Sequence, residues 1–207
     1  MHRDSDLKQR LSAATCLAEG EMHLLRANYD DAKERFQTGI AATHTDCFLR
    51  LRLQDTLMLA SAEQMVALQQ YDQALSLLAR GTDRNAQHKD ANLMLRLKAV
   101  GQLAKGSNYL TTREYDAAVS AFEAGALIEQ SDTDLHSRLV AWQKLAEGEG
   151  LHVQRRLSQS ADVLNHAAEI EHRDLNLKGQ TRALVHLVDG EICLAKKDYS
   201  SAIANLV

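Results

Sequence analysis

No proline occurs anywhere in the 207 residues. Proline is the strongest helix breaker and a common turn former, so long helices meet little interruption. Aromatic side chains make up only 4% of the chain, which excludes a large aromatic core. Cysteine is scarce: Cys16, Cys47 and Cys193 are far apart and odd in number. Neither a disulfide framework nor a CxxC-type zinc site fits that spacing. Long apolar runs are missing, so no membrane span is expected. An excess of basic charge is missing too: 24 Lys and Arg stand against 28 Asp and Glu, for a net charge of −4. That balance argues against a nucleic-acid partner. The opening residues carry charge and no apolar segment, so no signal peptide is read and a cytoplasmic protein is expected. No Gly-rich phosphate loop, GxSxG or HExxH occurs, so no cofactor, metal or catalytic site is expected.

Leu, Ala, Gln, Glu, Lys and Arg dominate what is present, and all are strong helix formers. The chain predicts an all-α fold. Its order becomes visible when Tyr29, Tyr71, Tyr115, Leu157 and Tyr199 are taken as anchors, spaced 42, 44, 42 and 42 residues apart. Twenty-five residues before each anchor stand Asp4, Asp46, Asp90, Asp132 and Asp174. Twelve before stand Leu17, Leu59, Leu103, Leu145 and Leu187. Nine before stand Gly20, Ala62, Gly106, Gly148 and Gly190. Three after stand Ala32, Ala74, Ala118, Ser160 and Ala202; seven after stand Phe36, Leu78, Phe122, Leu164 and Leu206. Five copies follow, at about 4–45, 46–89, 90–131, 132–173 and 174–207, as one domain spanning 1–207.

Each column has a physical reading. The Asp predicts a helix N-cap, accepting backbone N–H bonds that the first turn leaves open. A first helix of roughly 23 residues follows. The second helix starts near the anchor and runs about four turns. The small residues let two helix backbones approach, and the Phe or Leu fills the space beside them. The second copy is longer by two residues, which are expected in a loop at the end of its second helix.

This pattern resembles the tetratricopeptide family. The family's small–Ala–aromatic–small run is matched by Gly20, Ala32, Phe36 and Gly39, by Ala62, Ala74, Leu78 and Gly81, and by Gly106, Ala118, Phe122 and Gly125. The repeat is longer than the family's usual length of about 34 residues, its closing proline is absent, and Glu19, Ser61, Lys105, Glu147 and Asp189 replace the usual Leu. Such long repeats are similar to those of spindle-orientation adaptors of the Leu-Gly-Asn type and of bacterial regulator arms. The resemblance implies an α-α superhelix and a scaffold or adaptor that binds a protein or peptide segment along a concave groove. The alternative is a regulatory or sensor arm of a larger signalling or transcription protein. By position, the groove would have a floor of Leu59, Leu103 and Leu145, an arginine rim of Arg52, Arg96 and Arg138, and an acidic rim with Glu63 and Glu149; Trp142 would anchor a partner. The competing reading makes the charged rows and the leucines stacking contacts between hairpins, and it outweighs groove binding for both; for Trp142 the two readings stand level. A carboxylate clamp is not expected, because Leu and Glu occupy the positions where that clamp uses Asn and Lys. The histidines read as scattered. The apolar residues Ile203, Leu206 and Val207 predict self-association or fraying of that edge, as in a piece of a longer array.

Overall fold

The computed structural model describes residues 2–42, 44–88, 90–129 and 131–206. Among the described residues the chain forms ten α-helices and no strand. They are α1 (His2–Leu25), α2 (Tyr29–Ala41), α3 (Cys47–Ala67), α4 (Tyr71–His88), α5 (Ala91–Thr111), α6 (Tyr115–Ala126), α7 (Thr133–Val153), α8 (Leu157–Glu169), α9 (Leu175–Ala195) and α10 (Tyr199–Leu206). The all-α expectation holds, and all five anchors open the second helix of a hairpin. No helix among the described residues is long and apolar enough to cross a membrane.

Four of the five aspartates cap as expected. Asp46, Asp90, Asp132 and Asp174 each accept the N–H of the residue three further on, Leu49, Leu93, Leu135 and Leu177, at 3.0 Å. Asp4 does not: α1 already starts at His2, so Asp4 lies inside its first turn. There it still favours the positive helix end. The extra residues of the second copy also depart from expectation. They lengthen α4 to 18 residues instead of forming a loop. With no proline in the stretch, nothing stops the backbone hydrogen-bond ladder before His88.

Each first helix ends in the same way. Ala27, Gln69, Arg113, Arg155 and Lys197, all two residues before an anchor, adopt positive φ of 56–61°. In the first copy the N–H of Ala27 bonds to the Leu24 carbonyl and that of Asn28 to His23, both at 3.0 Å. The pattern recurs at Gln69 and Gln70, Arg113 and Glu114, Arg155 and Arg156, and Lys197 and Asp198. This left-handed turn satisfies the last carbonyls and reverses the chain. Glycine would normally take that position, and none does.

Helix contacts cluster into two compact units, residues 1–104 and 105–207, with the boundary inside α5. In the first unit α1 packs on α2, α2 on α3 and α3 on α4, and α1 also meets α3. Its core holds Leu24, Phe36, Leu53, Leu59, Leu97 and Leu103. In the second unit α6 packs on α7, α7 on α8, α8 on α9 and α9 on α10, and α7 meets α9. Its core holds Phe122, Leu135, Leu139, Leu145, Leu164 and Leu177. Fully burying one such side chain contributes about 1.5–3 kcal/mol.

The small residues do what their column predicts. A Cβ at Gly20 would stand 2.4 Å from the Phe36 ring, one at Gly106 2.5 Å from Phe122, and one at Gly148 2.5 Å from Leu164. Each hairpin closes only because that Cβ is missing. Where Ala62 replaces the glycine, the facing residue is the smaller Leu78, also buried. Ser160, which replaces the usual Ala, donates its hydroxyl to the Gly148 carbonyl at 2.7 Å in the buried hairpin contact. That bond satisfies the polar group that the substitution introduces.

Candidate functional site

The residues singled out by sequence separate into three groups. Leu59, Leu103 and Leu145 are core side chains, at most 1% exposed. The expected leucine floor is therefore corrected: these side chains hold hairpins together and present no surface to a partner. Leu145 packs with Ala161 and Leu164 of its own second helix, whereas Leu187, in the same column, is 39% exposed.

Two members of the arginine row, Arg10 and Arg52, tie successive hairpins together in the first unit. Arg10 reaches Asp46, the cap of the next first helix, at 2.9 Å. Arg52 repeats this with Asp90 at 3.6 Å and also meets Glu21 at 3.3 Å. Arg96 is half-buried on α5. Arg138 is buried, with its guanidinium 3.9 Å from Asp134 on the same helix. Asp134 in turn accepts the Arg173 N–H at 2.8 Å and pairs with the Arg173 guanidinium at 2.9 Å. Asp6 makes the corresponding bond in the first unit, accepting the Thr45 N–H at 2.8 Å. The pairs made by the exposed Arg10 and Arg52 contribute about 0–1 kcal/mol each. Their effect is on register: Arg10 and Arg52 hold the caps Asp46 and Asp90 against the preceding first helix.

The acidic row is less uniform. Glu63 is fully buried in the first unit. Glu149 is half-buried, and burial pushes its carboxyl above the ordinary range, with His152 and Arg113 acting the other way. Glu191 lies 3.2 Å from Arg155 and 3.3 Å from His152. Tyr115 adjoins the same cluster; burial, and secondarily Glu149, raise its phenol. Trp142 sits two helical turns before Glu149 on one face of α7. It is half-buried, and its ring stacks on Phe122 with centroids 5.9 Å apart and planes 21° apart. Leu184, its counterpart on α9, packs against the same core. The second unit thus brings together an immobilised indole, two partly desolvated carboxylates and the cations that partly offset them.

Two features were missed in the sequence. Arg113 and Arg155 gain their position from the left-handed turn, which no glycine announced. The histidines are not all scattered: His44, His88 and His172 each stand two residues before a capping aspartate. The His44 and His172 rings are buried, and their Nδ1 atoms accept the N–H of Asp46 at 3.1 Å and of Asp174 at 3.2 Å. The His88 side chain lies outside the described ones. Spacing to the capping column would have revealed all three.

Comparison of the chain with models of protein families, with curated proteins and with solved structures finds no match.

Proposed function

We propose that this chain is a protein-binding scaffold of the tetratricopeptide kind that takes a segment of another protein on the second unit. The supporting observation is the half-buried Trp142, held flat on Phe122. An indole fixed by stacking loses little conformational freedom on binding, which makes it an effective anchor. An apolar side chain of the partner seats beside Trp142 and Leu184. Donor groups further along the segment face Glu149, whose charge is only partly offset by Arg113 and His152. Arg52 is engaged in pairing between hairpins and Leu59, Leu103 and Leu145 lie in the core, so this reading does not use them as the binding surface.

The test is selection of binding peptides from a random displayed library on the full chain, followed by titration with Trp142→Ala and Glu149→Gln. A shared motif with an apolar anchor and nearby Lys, Arg or amide groups is expected. Trp142→Ala should weaken binding at least tenfold while far-ultraviolet circular dichroism stays unchanged. Selected peptides that bind Trp142→Ala as tightly as the parent would refute the assignment.

A further inference from the structure

The contacts between successive hairpins have fixed addresses. Tyr115, an anchor, lies against Gly150 of the following first helix, where an added Cβ would stand 3.2 Å from the tyrosine Cβ. Lys33, four residues past its anchor, bonds at 2.6 Å to Gln64, which holds the Gly150 position of its own hairpin. Phe122, seven past its anchor, stacks on Trp142 of the following first helix. Arg155, two before its anchor, meets Glu191 of the following first helix at 3.2 Å.

Two faces carry these addresses exposed. On α1, Leu7 (62%), Leu11 (69%) and Met22 (50%) form an apolar stripe with the exposed Ala14 and Ala18. The residues equivalent to Leu11 on α3 and α7, Leu53 and Leu139, are fully buried, and Leu53 lies against Gly39 of the preceding hairpin. On α10, Tyr199 (63%), Ile203 (64%) and Leu206 (47%) are exposed, whereas Phe36, Leu78, Phe122 and Leu164, the equivalents of Leu206, are buried. Carried over by address, Tyr199 and Ile203 fall on Met22, Leu206 falls on Ala14, and Lys197 falls beside Glu21. Apolar groups meet apolar groups and a cation meets a carboxylate. The two faces are the two halves of the interface that joins hairpins within a unit.

We infer that a second copy of this chain covers the α1 face with its own α9–α10 face, head to tail. Such an interface is heterologous, so a joined pair still has one free face of each kind, and assembly continues beyond two copies unless a ring closes. The experiment uses the full chain at about 100 µM, above the micromolar limit typical of specific interfaces of standard size. Light scattering should give a mass above that of one chain, rising with concentration. Met22→Glu and Ile203→Glu each place a carboxylate in one face and, at exposed positions, leave the fold intact by circular dichroism; Leu11→Lys and Tyr199→Lys form a second pair. Each variant alone should be monomeric. Mixed in equal amounts, Met22→Glu and Ile203→Glu should form a one-to-one dimer and nothing larger, because one retains the α9–α10 face and the other the α1 face. Three results overturn the inference: a monomeric parent chain, a monomeric mixture, or an Ile203→Glu variant that still dimerises, which would mean that α1 pairs with α1.

Discussion

Replacing Gly20 with alanine tests the packing logic of the whole chain. The new Cβ would lie 2.4, 2.6 and 2.8 Å from three carbons of the Phe36 ring. Carbon atoms in good contact are about 3.5–4.0 Å apart, so the ring must retreat by about 1 Å. Phe36 is fully buried and has little room to do so. Overpacking of this kind costs about 1–3 kcal/mol, and an overlap this large belongs near the upper end. Alanine gains about 1 kcal/mol over glycine in a helix interior. The expected net loss is therefore about 1–2 kcal/mol. Phe36→Leu alone leaves a partly filled cavity and costs about 1 kcal/mol. The double variant recreates the pair that the second copy already uses, Ala62 with Leu78, and should return to near the parent stability. Urea unfolding followed by circular dichroism measures all four proteins, with unchanged slopes required for comparison. The expected coupling is about 2 kcal/mol. Additivity within about 0.5 kcal/mol, or a stabilising Gly20→Ala, would show that clearance for the ring is not why glycine stands there.

Two further outcomes follow from local geometry. Gln69→Gly should stabilise the chain by about 0.5–1 kcal/mol, because a side chain at φ 60° is strained and glycine is not; a lower urea midpoint would contradict this. Burial depresses the His172 pKa below its ordinary 6.5. The unfolded chain therefore binds the proton first, and the stability present above 6.5 is lost as pH falls through the folded value. His172→Asn keeps an acceptor for the Asp174 N–H without titrating, so its stability should fall less than the parent's between pH 7 and about 5; equal falls would rule out His172 as the titrating group.

The repeat was legible because its columns are local. A capping aspartate, a small residue nine before the anchor and a bulky one seven after each act within one hairpin, and spacing alone identifies them. The leucines twelve before the anchor left packing and a groove floor both open, with packing ahead, because period gives the face of a helix but not what covers it. Leu145 and Trp142 lie three residues apart on α7; one is in the core and the other is half-open. Arg52 and Arg138 share one column, yet the first is exposed and paired across hairpins while the second is buried beside Asp134. Neighbouring helices decide those outcomes, and one strand of letters does not contain them.

By itself the amino-acid order determined an all-helical chain, its hairpin boundaries, four of its caps and the pairing of small with bulky residues. These depend on backbone hydrogen bonds and on contacts close in sequence. The tertiary structure decided which faces are covered, the left-handed turns that place Arg113 and Arg155, the histidine latches behind the caps, and the apolar faces of α1 and α10 that remain open. Those depend on where a neighbouring helix comes to rest, and burial and charge pairing are set only there.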